Sequence, residues 1–160
     1  EHEIEPLLRD RGALLCGHFR LSSGLHAERY VQCQAVMADP EVASQLARAL
    51  RKRFGGIEVD VVLGPALGAV VLAHELARAF HCRSAFAERR EGRLALRRAQ
   101  QLKPGARVLV AEDVVTTGGS VREILALAES LGARVSGVAA LVDRSAASVS
   151  PFAEARDSRV

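Results

Sequence analysis

The chain has 160 residues, of which 49% are hydrophobic and 4% aromatic, and its formal net charge is +3. That length builds one domain around an aliphatic core of Leu, Val and Ala, and the composition excludes a disordered chain. No apolar run reaches the length of a membrane-spanning helix, and the acidic start EHEIEPLLRDRG lacks signal-peptide character, so a cytoplasmic protein is expected. Glu1 in place of Met points to removal of residues ahead of it. Cys16, Cys33 and Cys82 are odd in number and widely spaced. They suit neither a disulfide framework nor a zinc site and read as free thiols.

A short helix is expected around Glu3 to Leu14. GHFRLSSGLHAERYVQC, from Gly17, carries turn residues Ser22, Ser23 and Gly24 between mixed runs and reads as a hairpin-like element. DPEVASQLARALRKRFGG predicts a helix: Asp39 is the N-cap, Pro40 takes the first helical position and Gly55-Gly56 ends it. Val42, Leu46, Ala49, Leu50 and Phe54 form its apolar stripe. VDVVLGPA reads as a buried strand, ALGAVVLAHELARAF as a helix and CRSAFA as a short strand. ERREGRLALRR, Glu88 to Arg98, holds five arginines and two acids. Standing alone it reads as a solvated charged face; an anion-gripping loop is the functional alternative. Pro104-Gly105 marks a turn, RVLVAED a strand, SVREILALAESLG a helix closed by Gly132, and RVSGVAALVDR another strand. Residues 146–160 show no period and are expected to form a loose tail.

Strands and helices alternate, and the strands are apolar throughout. That pattern predicts an α/β fold, a central mostly parallel sheet flanked by helices, in a single domain over residues 1–160. Ligands of such sheets bind beyond the carboxyl ends of the strands. Gly64-Pro65-Ala66, Glu112 to Ser120 and Asp143-Arg144 therefore share one rim.

VLVAEDVVTTGGS, Val108 to Ser120, carries the chemistry. Thr116, Thr117, Gly118, Gly119 and Ser120 lead into a helix N-terminus, where unpaired N–H groups and the helix dipole favour an anion. The glycines admit a phosphate close to the backbone and the hydroxyls add donors. No Gly-Lys-Ser/Thr is present, so this is not the nucleotide P-loop. An isolated Glu112-Asp113 would read as a strand end and a turn cap. Beside a phosphate cradle, the two carboxylates would repel the phosphate and instead suit ribose hydroxyls or a hydrated Mg²⁺ ion. Phosphate at one end and a diol at the other describes ribose 5-phosphate.

VLVAEDVVTTGGS resembles the phosphoribosyl-diphosphate signature of the type I phosphoribosyltransferases. GHFRLSSGLHAERY, GPALGAV and LVDRS (Leu141 to Ser145) are similar to the orotate branch of that family, in the same order, over roughly residues 12 to 145. The resemblance implies the type I phosphoribosyltransferase fold, with a small N-terminal hood of about residues 1–36. It implies transfer of phosphoribosyl from 5-phosphoribosyl 1-diphosphate to orotate, in pyrimidine (UMP) synthesis, by a cytoplasmic homodimer. It further implies that Glu112 and Asp113 hold the ribose hydroxyls, with Val114, Val115 and Thr116 to Ser120 around the 5′-phosphate and Pro65 and Ala66 near the diphosphate. Ser23, Gly24, Thr116 and Arg144 would meet orotate, with His26 and Tyr30 nearby, and a guanidinium fork suits its carboxylate. Asp113, Arg89, Arg90 and Arg93 are the implied catalytic residues, with Arg97 and Arg98 adding charge to a mobile basic loop. Mg²⁺ would arrive on the diphosphate, without direct protein ligands, touching Glu112 and Asp113 through water.

Where many relatives carry lysine, this chain has Arg89-Arg90, Gly68 and Ser22, and its lysines are Lys52 and Lys103 alone. Two other readings stand beside this one: a phosphoribosyltransferase for another base, and a non-catalytic regulatory protein that binds the activated sugar. HELAR, His74 to Arg78, lacks the second histidine of a zinc peptidase. Modest charge and the lack of an aromatic platform argue against nucleic-acid binding.

Overall fold

Five strands lie side by side in one sheet, and valine, leucine and alanine fill its buried positions. A computed structural model describes residues 4–20, 26–97 and 100–144 of the chain. The elements in chain order are α1 (Ile4–Asp10), β1 (Leu14–Arg20), β2 (His26–Val31), α2 (Cys33–Met37), α3 (Pro40–Lys52), β3 (Val61–Pro65), α4 (Val70–Phe80), β4 (Arg83–Arg90), β5 (Arg93–Leu96), β6 (Arg107–Val115), α5 (Gly119–Ser130) and β7 (Arg134–Asp143). The main sheet has the order β5-β4-β3-β6-β7. β3 pairs in parallel with β4 and β6, β6 pairs in parallel with β7, and β5 is antiparallel to β4. A separate antiparallel pair, β1 with β2, forms the hood. No helix among the described residues is long and apolar enough to cross a membrane.

The uninterrupted aliphatic runs follow from burial on both faces. Val62, Leu109, Ala111, Ala139 and Leu141 point into one core with α1 to α4. Their neighbours Val61, Leu63, Val108 and Val110 point into the other, with Ile124 and Ala128 of α5. Asp39 caps α3 as its sequence predicts: its carboxylate accepts from the N–H of Glu41 at 3.0 Å and of Val42 at 3.3 Å. Opposite the ligand rim, Arg107 at the start of β6 donates to Asp60 at 2.6 to 2.9 Å and also pairs with Glu58. The hydrogen bonds from Arg107 hold the Asp60 carboxyl down at about 2.

Three elements differ from expectation. The first helix stops at Asp10, not Leu14. Gly12 takes φ +64°, the N–H groups of Gly12 and Ala13 bond back to Arg9 and Leu8, and the chain then turns into β1. α4 begins at Val70 instead of Ala66, because Ala66 N donates to Ala87 O at 2.8 Å and prolongs the sheet connection. The arginine-rich stretch is not a loose loop. β4 runs on to Arg90, Glu91 and Gly92 both take positive φ (49° and 83°), and β5 folds back, as a two-residue hairpin turn requires. Ser22, Ser23, Gly24, Arg98 and the tail from 146 to 160 lie outside the described residues.

Candidate active site

Strand β6 carries its run two residues past the acidic pair. Glu112 pairs with Ala140, Val114 with Val142 and Val115 with Asp143, and Arg144 N donates to Val115 O at 2.8 Å. The ends of β6 and β7 are thereby tied together, and Arg144 is placed beside the start of the phosphate turn.

Glu112 is only 6% exposed. Burial pushes its carboxyl up to about 8; a hydrogen bond to Asp113 and the Asp113 charge act in the same direction. Asp113 is less buried, and its Oδ1 accepts from its neighbour Val114 N at 2.8 Å. The Cys33 thiol faces the Asp113 carbonyl at 3.8 Å, and burial followed by the Asp113 charge pushes that thiol up to about 12. Across the rim, Gly68 lies so close that a Cβ there would stand 2.7 Å from Asp113 Oδ2. The acidic pair is thus one buried and proton-retaining group beside one outward acceptor.

That asymmetry has a consequence for pH. Glu112 holds its proton in the folded chain up to about pH 8 but loses it near the ordinary carboxylate value, about 4.3, when unfolded. Its contribution to stability is fully present below that lower value and is lost as pH rises toward 8. Glu112→Gln does not titrate. It is expected to match the wild type in melting temperature near pH 4.5 and to exceed it near pH 8.5, by scanning calorimetry. A gap that did not widen with pH would show Glu112 ionised in the fold.

Thr116 and Thr117 follow as exposed residues. Gly118 is buried, takes φ +72° and is the N-cap of α5. It offers no side chain, so no side-chain cap satisfies the first N–H groups of α5. An anion is the natural occupant of such a terminus. Gly119 and Ser120 begin the helix proper. Pro65 ends β3 and Ala66 follows it, joined to Leu67 by a cis peptide bond.

The hairpin tip stands beyond the last β3–β4 pair, Pro65 with Ala87. Arg90 and Arg93 oppose each other across β4 and β5. Like charges so placed repel, and Arg90 has Glu91 at 3.5 Å. Arg97 reaches Glu88 at 3.5 Å. Arg89 is engaged with the Glu123 carboxylate of α5 at 3.0 and 3.1 Å. A separate groove of about 1050 Å³ runs along the outer edge of β7, against α1, the hood and α3. None of residues 112 to 120 lines it, so this groove is not the place where the acids and the phosphate turn meet.

The structure therefore brings Pro65, Ala66, Glu112 to Ser120, Arg144 and the hairpin arginines to one end of the sheet. Ser23 and Gly24 lie outside the described residues. Reading by motif missed the Asp113 contacts of Cys33 and Gly68 and the contact of Glu123 with Arg89. Only the helix register of α5 hinted at the last, by putting a carboxylate one turn past the cradle.

A family model described as phosphoribosyl transferase domain matches residues 33–156. The chain is 48% identical over 143 residues to an orotate phosphoribosyltransferase of Pelotomaculum thermopropionicum, covering 89% of this chain and 75% of that one. Against the enzyme of that name from Carboxydothermus hydrogenoformans it is 48% identical over 149 residues, covering 92% and 78%. The crystal structure of orotate phosphoribosyltransferase from Aeropyrum pernix superposes with a TM-score of 0.73 at 30% identity, covering 87% of this chain and 80% of that one. With its parallel sheet, its acidic strand end and its uncapped helix behind a glycine turn, the chain belongs to the type I phosphoribosyltransferase family, in the orotate phosphoribosyltransferase branch.

Proposed function

We propose that the chain transfers phosphoribosyl from 5-phosphoribosyl 1-diphosphate to orotate, giving orotidine 5′-phosphate and diphosphate in pyrimidine (UMP) synthesis. The observation that carries this reading is the direct passage from Glu112-Asp113 into the uncapped N-terminus of α5, with Arg144 tied to the same strand end. The 5′-phosphate sits on the N–H groups of residues 118 to 120 with the Thr116, Thr117 and Ser120 hydroxyls around it. The ribose hydroxyls donate to Asp113 and Glu112. Orotate N1 attacks the anomeric carbon as the bond to diphosphate breaks, through a transition state with oxocarbenium character. No protein nucleophile is needed. Positioning of two substrates and electrostatics on the developing charges supply the rate. Asp113 eases the positive charge on the ring, and Arg90 and Arg93 meet the negative charge growing on diphosphate.

Among the described residues no three ligating side chains cluster as a metal cage. Mg²⁺ keeps much of its water and binds through one or two carboxylates and substrate phosphates. The ionised carboxylate of Asp113 beside a phosphate turn fits that habit and would hold the ion's waters, with the carbonyl oxygen of the protonated Glu112 as a further acceptor. When bound, Mg²⁺ neutralises charge on the diphosphate. The three free thiols support a reducing, cytoplasmic setting, and a homodimer is the assembly we propose.

Loss of orotate absorbance with phosphoribosyl diphosphate and Mg²⁺ tests the reaction. Turnover of a neutral base in place of orotate, or binding of the activated sugar with no loss of absorbance, would sink it. Arg144→Ala removes a charge-assisted fork worth about 2 kcal/mol. The orotate KM is expected to rise roughly thirtyfold on that basis, with the KM for phosphoribosyl diphosphate unchanged. An unchanged orotate KM would remove Arg144 from the base site.

A further inference from the structure

We propose that Glu123 is a positioning residue, and that its grip on Arg89 fixes the β4–β5 hairpin beside the phosphate turn, with Arg89 acting as a strut and not as a contact to diphosphate. The inference rests on the reading of the site given above.

The hairpin needs such a fastening. Residues 88 to 93 extend past the end of β3 and pair only within the hairpin itself. A two-stranded ribbon alone is marginal in water. Its tip also carries the repelling cross-strand pair Arg90 and Arg93.

One guanidinium supplies the fastening. Ala85 and Ala87 of β4 are buried in the core beneath α5, and Arg89 is the next residue on that face. There it meets Glu123. Arg89 Nη1 donates to Glu123 Oε2 at 3.0 Å and to the turn carbonyl of Gly92 at 2.6 Å, while Nη2 donates to Glu123 Oε1 at 3.1 Å. Both Nη groups are thus committed, linking β4, the hairpin turn and α5. Glu123 is itself anchored: it lies in α5 four residues after Gly119 and directly before the fully buried Ile124. The same helix that presents the cradle therefore sets the height of the hairpin above it.

By strand alternation, Arg90 lies on the opposite face of β4 from Arg89, and its cross-strand partner Arg93 shares that opposite face. They remain available to an anion while Arg89 is held. The Arg89–Glu123 pair is about half-exposed, with side chains at 48% and 42%. Such pairs add little to global stability, so its loss leaves the fold intact and loosens only the hairpin.

The test uses the whole chain as Glu123→Ala and as the charge swap Arg89→Glu with Glu123→Arg. Amide hydrogen exchange of residues 88–96 reads the hairpin without substrate, and steady-state kinetics read the reaction. In Glu123→Ala, exchange across 88–96 is expected to rise about tenfold. With it, kcat is expected to fall roughly tenfold while the orotate KM and the melting temperature stay at wild type. The swap restores the ion pair to α5 but not the donation to the Gly92 carbonyl, so it is expected to recover most of the hairpin protection and most of kcat together. Wild-type exchange in Glu123→Ala overturns the clamp. Restored protection with kcat still depressed overturns the strut, because Arg89 then meets diphosphate itself. A wild-type protein that never consumes orotate defeats the proposed reaction, and the exchange arm alone then decides the clamp.

Discussion

Asp113→Asn is expected to lower kcat/KM about a hundredfold, the loss of some 2.7 kcal/mol of transition-state stabilisation, while the melting temperature stays near wild type. The substitution keeps size and shape. The amide oxygen can still accept from Val114 N, the bond that orients the side chain at 2.8 Å. What disappears is the charge and one acceptor facing the ribose. The effect is tempered by the neighbour. Asp113 contributes to the upward shift of Glu112 both through a hydrogen bond and through its charge, so Glu112 gives up its proton more readily once residue 113 is neutral. Burial, the larger cause, persists. The pair consequently acts as a unit, and adding Glu112→Gln to Asp113→Asn should cost more than Glu112→Gln does alone. Orotate absorbance and a thermal melt measure the two quantities. Full activity in Asp113→Asn would dismiss the acidic pair as the sugar site.

Much of this site is local in sequence, and that is why it could be read. VLVAEDVVTTGGS passes from strand to turn to helix within thirteen residues, so the periodic aliphatics, the acids and the glycines each keep their meaning without knowledge of what lies opposite. The sheet was legible for the same reason: Val61 to Leu63 and Val108 to Ala111 are buried on both faces and carry no polar residue to confuse the pattern. The hairpin was not. In ERREGRLALRR Glu88, Arg89 and Arg90 put charge on both faces of the end of β4, and the alternation of Leu94 and Leu96 in β5 is too short to mark a strand pair. Its turn uses Glu91 at positive φ, a position where glycine, asparagine or aspartate is the usual signal. Its fastening, Arg89 to Glu123, spans 34 residues, and no local rule reports a contact at that range. The end of α1 was misplaced because Leu14 and Leu15 extend its apolar pattern, while Gly12 had already turned the chain.

Gly68→Ala is expected to weaken phosphoribosyl diphosphate binding about thirtyfold without unfolding the chain, on the scale of a displaced charged hydrogen-bonding group at about 2 kcal/mol. The backbone at Gly68 is not in the left-handed region, so conformation alone does not demand glycine there. Space does. The new methyl would stand 2.7 Å from Asp113 Oδ2 and 3.1 Å from Cγ and Oδ1. The carboxylate is the tip of a side chain, so it yields before the backbone does. It then leaves both Val114 N and its place facing the ribose. Gly56→Ala is the control, since nothing lies within 4 Å of a Cβ there and its φ is ordinary. If the damage runs through Asp113, Gly68→Ala with Asp113→Asn should bind no worse than Asp113→Asn alone, the non-additivity expected of two residues in contact. Titration calorimetry supplies Kd for the wild type and all four variants. Additive losses, or a Gly68→Ala variant with wild-type Kd, would show that the glycine does not shape the acid's position and that ribose binding relies on another group.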